Sequence, residues 1–203
     1  KKKRNGRRDV PVLSDASMIL ATASAASGHK AMSDKEITIV CGGVDGTLQL
    51  YTWSTNEVEQ EEVEKKEREK KMEKAPTTSV HIGGEILAVD LSKQTRLCVV
   101  GTLHGAVFVV DASYANVGLV VLHEYRPFGA RKSIGISSLS LCEKNSMLYL
   151  AAGNTEGGLL LFHGQGGRSG GIFDEMIVLD GHENAVVNLS FTRRGDDAGT
   201  GGG

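Results

Sequence analysis

The chain has 203 residues and a formal net charge of −2, from 25 acidic and 23 basic side chains, with 26 glycines beside three prolines. That balance excludes a whole-chain electrostatic attraction to nucleic acid, while 203 residues suffice for a domain burying roughly 70% of its unfolded surface. Cys41, Cys98 and Cys142 form no C-x-x-C pair, so they offer neither zinc-ligand spacing nor a disulfide framework and fit reduced thiols in a nuclear or cytoplasmic protein.

Residues 1–16 form a basic N-terminal segment carrying Lys1, Lys2, Lys3, Arg4, Arg7 and Arg8. Such a cluster can neutralise phosphates, address a protein to the nucleus, or act as a solvated linker, and these six are the candidate nucleic-acid contacts. The apolar residues that follow run unbroken only from Met18 to Ala21, too short for a secretory signal or a membrane span. Ile37 to Gly43 reads as a strand, Val44 to Gly46 as a tight turn, and Thr47 to Tyr51 as a returning strand.

Residues 54–76 interrupt this pattern. Positions 56–74 hold eight glutamates against six basic residues, with Glu61–Lys65, Glu62–Lys66, Glu64–Arg68 and Glu67–Lys71 spaced i, i+4 and the acid first. Four such pairs contribute about 1–2 kcal/mol to a helix. With only Val58, Val63 and Met72 apolar there is no stripe to bury. The segment reads as a solvated helical or disordered insertion between two β-units, with a partner-docking arm as the sharper alternative.

A second unit follows. Glu85 to Ser92 alternates apolar and polar residues, 93–96 is a polar turn, Leu97 to Thr102 is a continuous apolar run, Ala106 to Asp111 returns, and Val117 to Tyr125 supplies a fourth strand. The third unit repeats the scheme with Ile136 to Leu141, a turn at Glu143 to Ser146, Leu148 to Gly153, Gly158 to His163 and Met176 to Leu179. Ala185 to Phe191 reads as the opening strand of a fourth, before a Gly-rich tail at 198–203.

One phrase recurs in these units: Asp45-Gly46-Thr47-Leu48, His104-Gly105-Ala106-Val107 and Glu156-Gly157-Gly158-Leu159, starting 59 and then 52 residues apart. Each is a polar residue, a turn glycine and the start of a strand. Repetition on this scale predicts packed blades of four antiparallel strands. The stretch from Leu179 to Phe191, with Gly181-His182 before a strand, resembles the opening of a WD repeat, and the three glycine phrases resemble its middle and end. The closing Trp-Asp is degraded to Tyr51-Thr52, Val110-Asp111 and Phe162-His163, and only Asp111 keeps the acid. The resemblance implies an all-β, WD-repeat-type β-propeller over residues 17–197 with about three to four blades. Since propellers close with about 4–8 blades, this reads as part of a longer one. Residues 146–191 also resemble WD-repeat proteins of nucleolar ribosome assembly. In WD repeats a histidine in the place of His182 hydrogen-bonds within its own repeat.

Catalytic chemistry has little to build on. His81, His104, His123 and His163 show no H-x-x-x-H spacing, so no metal site is expected. Asp45, Asp111 and Glu156 fall at turns or strand ends, where carboxylates accept backbone N–H bonds. Residues 164–171 place Ser169 where a G-x-G-x-x-G loop needs its last glycine, and no helix pattern follows. The sequence therefore predicts a non-enzymatic protein–protein interaction scaffold with protein partners, no cofactor, no small-molecule substrate and no membrane. The alternative is a ribonucleoprotein component touching RNA through residues 1–8.

Overall fold

The structure, a computed structural model, describes residues 19–26, 36–54, 76–92, 94–113, 118–128, 134–165, 172–179 and 181–192. Twelve strands are found among them: β1 (Ile19–Ala26), β2 (Glu36–Gly43), β3 (Thr47–Ser54), β4 (Thr78–His81), β5 (Ile86–Leu91), β6 (Leu97–Thr102), β7 (Val107–Asp111), β8 (Val120–Tyr125), β9 (Ile136–Lys144), β10 (Met147–Asn154), β11 (Leu159–Gln165) and β12 (Glu175–Leu179). They make three antiparallel four-stranded meanders, β1-β2-β3-β4, β5-β6-β7-β8 and β9-β10-β11-β12. Neighbouring sheets meet where β5 lies against β1 and β2, and β9 against β5 and β6.

The burial of the middle sheet explains its sequence. Successive side chains of a strand point to opposite faces, and β6 uses both. Leu97 and Val99 join a cluster with Leu148, Leu150 and Phe162 of the third sheet. Cys98 and Val100 join a second cluster with Val40, Leu48 and Leu50 of the first. Every residue of β6 is buried as a result, which is why its sequence is continuously apolar. Among the described residues the third sheet is packed against a neighbouring sheet on one face, and β10 and β11 alternate buried with half-buried residues.

Two expectations are corrected. The charged insertion does not separate two units: β3 and β4 pair with each other, Leu50 opposite Thr78, so residues 55–75 connect the last two strands of one sheet. Their own conformation lies outside the described residues. The expected opening strand of a fourth unit, 185–191, is assigned to no strand. A ladder needs a pairing partner, and this segment finds none among the described residues.

The β9–β10 hairpin closes on Asn145 (φ 52°) and Ser146 (φ 64°), two consecutive left-handed residues, as the common two-residue hairpin turn requires. Among the described residues no helix is long and apolar enough to cross a membrane.

Candidate functional site

The recurring motif residues occupy the same place in each sheet, the turn between the second and third strands. Gly46 (φ 78°), Gly105 (φ 76°) and Gly157 (φ 93°) adopt the left-handed backbone that only glycine takes without strain. Their amides close the turns onto the carbonyls of Gly43 (3.1 Å), Thr102 (3.1 Å) and Asn154 (3.3 Å). Three different side chains cap them. Asp45 accepts from the Thr47 amide (3.0 Å) and hydroxyl (2.9 Å). Thr102 Oγ1 accepts from the Ala106 amide (3.2 Å). Asn154 Oδ1 accepts from the amides of Glu156 (2.9 Å) and Gly158 (2.7 Å).

Each turn also meets the segment that follows the last strand of its own sheet. A Cβ on Gly46 would stand 2.9 Å from the Gly84 backbone, one on Gly105 2.5 Å from the Ile134 carbonyl, and one on Gly157 would collide with the His182 carbonyl. The His182 amide donates to the Gly157 carbonyl (2.8 Å), while its imidazole is exposed. Gly181 is pressed against the same turn, since its Cβ would collide with the Gly157 carbonyl. In this structure Gly181 and His182 act through their backbone, as the clasp of turn to linker.

Asp111 is buried at the end of β7, where Oδ1 accepts from the Ser113 amide (2.8 Å). His104 and Glu156 are exposed at their turn tips, so the structure gathers no nucleophile, base and oxyanion donor from the motif positions. His104 does line a cavity of about 340 Å³ with Gly83, Gly84, Thr102, Phe108 and Arg126. Arg126 pairs there with Glu124 at 2.5 Å. Among the described residues no group of three or more His, Cys, Asp or Glu side chains is placed to hold a metal ion. Lys1, Lys2, Lys3, Arg4, Arg7 and Arg8 lie outside the described residues.

Two carboxylates that the sequence analysis left without a role bind the second sheet to the third. Asp90 Oδ2 accepts from the Leu141 amide (2.6 Å) and Oδ1 from the Leu91 amide (2.8 Å). Desolvation by burial pushes its carboxyl above the usual value, and these two bonds pull partly back. Glu143 Oε1 accepts from the amide (3.2 Å) and hydroxyl (2.6 Å) of Thr95 and from the Ser92 hydroxyl. The one available signal was a lone charge, Asp90, inside an otherwise apolar strand. Burial also raises the thiol of Cys98, with Asp90 adding to the effect, and burial raises that of Cys41, which suits buried free cysteines.

Large exposed apolar side chains gather on outer strands and on the last described segment. Met176, Ile177, Val178 and Leu179 follow one another along β12 at 44–70% exposure, Val120 and Val121 open β8, and Val187 and Phe191 stand beyond β12.

No family model and no curated protein matches the chain. Among solved structures it is similar to the β-propeller domain of Cps50 (Swd1) from Myceliophteria thermophila, with a TM-score of 0.51 and 15% identity. That match covers 82% of this chain and 45% of the other, so this chain spans less than half the length of the structure it matches. The described residues form an all-β, β-propeller-type fold of three sheets that do not close into a ring.

Proposed function

We propose that this chain is a non-enzymatic scaffold, built of divergent WD repeats, that holds other proteins together within a multi-subunit assembly. The observation that carries this reading is the run of four exposed apolar residues, Met176 to Leu179, on an outer strand. A strand at a sheet edge offers unpaired backbone groups, and an apolar edge left open attracts other chains, so natural proteins usually blunt it with charge or proline. β12 is not blunted in its last four positions. A partner that covers them gains apolar burial at about 25 cal/mol per Å² together with main-chain hydrogen bonds.

The test is affinity purification of the tagged protein from cells, comparing the native sequence with an Ile177→Lys/Val178→Asp double variant. Partners recovered with the native protein and lost with a folded double variant support the reading. Identical recovery, or an empty purification, overturns it.

A second reading rests on the six cations in residues 1–8. Six phosphate contacts would release about five counterions from duplex RNA or DNA, so affinity would fall by orders of magnitude between low and moderate salt. Titrating RNA with and without residues 1–8 at two salt concentrations decides it, because equal affinities leave the segment a linker or import signal.

A further inference from the structure

We propose that the cavity beside Gly84, where the link from β4 to β5 passes the β6–β7 turn, binds the C-terminal residue of another polypeptide through its aliphatic side chain and its free α-carboxylate. The site lies away from β12, so it goes beyond the scaffold reading and does not depend on it.

Gly84 has a counterpart in the next link. A Cβ on Gly46 would stand 2.9 Å from the Gly84 backbone, and one on Gly105 2.5 Å from the Ile134 carbonyl. Two residues further on, Ile86 and Ile136 lie in the same way against Gly42 and Gly101. Gly84 and Ile134 therefore hold one position in successive repeats, fifty residues apart. One carries no side chain and the other is a buried isoleucine. The facing strand differs to match. Phe108 and Leu160 each stand three residues after the turn glycine, and Leu160 is fully buried where Phe108 is half-buried.

Nothing in the backbone requires glycine at position 84. Its φ lies outside the left-handed region that the neighbouring Gly83 occupies at 86°. A Cβ there meets the His104 ring at 3.6 Å and Thr102 at 3.9 Å, ordinary van der Waals distances to two residues that line the cavity. The absent side chain thus leaves open part of a space of about 340 Å³, at the position where the next link buries an isoleucine. Protein interiors leave few voids larger than a water molecule, so an opening of this size is a feature to be explained. Its volume falls in the range of small-ligand pockets, about 300–1,000 Å³.

The lining sets the chemistry. Inside are the Phe108 ring, the Ala106 methyl and Thr102, whose hydroxyl donates to the Ala106 carbonyl (3.3 Å) and accepts from the Ala106 amide (3.2 Å). With that hydroxyl already engaged, an aliphatic side chain suits the interior. His104 and Arg126 line the same cavity, and both are exposed. Glu124 takes Nε of Arg126 at 2.5 Å, and among the described residues no other acceptor is found for the guanidinium and none for the His104 imidazole. The two remaining amino groups of a guanidinium are suited to a carboxylate, which they hold by charge-assisted hydrogen bonds.

A cavity this small admits one residue, so side chain and carboxylate have to come from the same one. An internal acidic residue beside an aliphatic one does not serve, because successive side chains of an extended peptide point to opposite sides. A C-terminal leucine, isoleucine or valine carries both groups on a single Cα, and capture of a terminal carboxylate is a recurring mode of peptide recognition.

The experiment titrates acetyl-Gly-Ser-Gly-Ser-Ile, with a free C-terminal carboxylate, into the isotope-labelled 203-residue chain and follows amide shifts of Gly83, Gly84 and Ala106 by NMR. We expect saturation with a Kd of about 1 mM, and binding about tenfold weaker or absent for the C-terminal amide and for a peptide ending in glycine. Gly84→Ile fills the cavity as Ile134 fills its own position, so the chain stays folded with an undiminished melting temperature and the shifts vanish. Arg126→Gln keeps the cavity, weakens the free-acid peptide about tenfold and leaves the amide unaffected. No saturable shift, equal affinity for acid and amide, or binding retained by a folded Gly84→Ile chain overturns the proposal. So does tighter binding of acetyl-Ser-Asp-Ile-Ser amide, which makes an internal acidic side chain the ligand. If Gly84→Ile fails to fold, the comparison of acid and amide on Arg126→Gln decides by itself.

Discussion

Gly157 and Gly83 share a left-handed backbone, with φ of 93° and 86°, but not a setting. A Cβ on Gly83 meets nothing within 4 Å, whereas one on Gly157 runs into the carbonyls of His182 and Asn184. Gly83→Ala should cost only the left-handed penalty, about 1–2 kcal/mol. Gly157→Ala adds an overpacking term of about 1–3 kcal/mol and loosens the segment after β12. Urea unfolding of the two variants checks this, and equal losses would show that the clasp gives way without cost. Asp90 makes a different prediction at the same scale. Its folded carboxyl titrates above the ordinary 3.8 because burial disfavours the charge. The folded state then holds the proton more tightly than the unfolded state, so stability falls as pH rises from about 4 through the folded value. Asp90→Asn should remove that slope from a plot of melting temperature against pH, whatever it does to the absolute melting temperature. A slope unchanged in the variant would assign it to another group.

Among the elements, strands whose sequence repeated or alternated were legible. β6, β7, β10 and β11 fall within two residues of their expected bounds, because a turn glycine and a run of branched side chains fix both ends. β1 was not legible. Its sequence, ILATASAA, is mostly small residues, and only antiparallel pairing with β2 makes it a strand. β4 was missed too, since four residues after a long charged segment carry almost no periodicity. What defines β4 is register on β3, with Thr47 opposite His81, and the Thr77 amide on the Leu50 carbonyl (2.8 Å). That pairing gives the insertion a testable consequence. Replacing residues 55–75 by a short Gly-Ser link should leave the β-structure folded with its cooperative unfolding transition and shift the melting temperature by no more than a few degrees. Each doubling of loop length costs only about 0.6 kcal/mol. A drop of ten degrees or more would mean that the segment packs on the first sheet.

For the whole molecule, the middle sheet depends on both neighbours. Ending the chain at residue 133 removes the third sheet and uncovers Val99, Val107 and Val109, each fully buried in the intact protein. At about 1.5–3 kcal/mol per buried side chain this loss approaches the entire stability of an ordinary domain, about 5–15 kcal/mol. The truncated chain should bind a hydrophobic dye and lose its cooperative urea transition, and a sharp transition retained would show that two sheets suffice. By itself the sequence determined the repeat, the turn glycines and the all-β class, because these follow from local backbone geometry and side-chain alternation. The tertiary structure decided what local rules do not carry. It placed the charged insertion within a sheet, turned Asp90 and Glu143 into ties between sheets, gave Gly181 and His182 a backbone role, and left 184–192 laid on the third sheet without a ladder. Each of these depends on which surfaces meet across fifty or so residues of chain, and pairing at that distance is fixed by packing rather than by any single strand's composition.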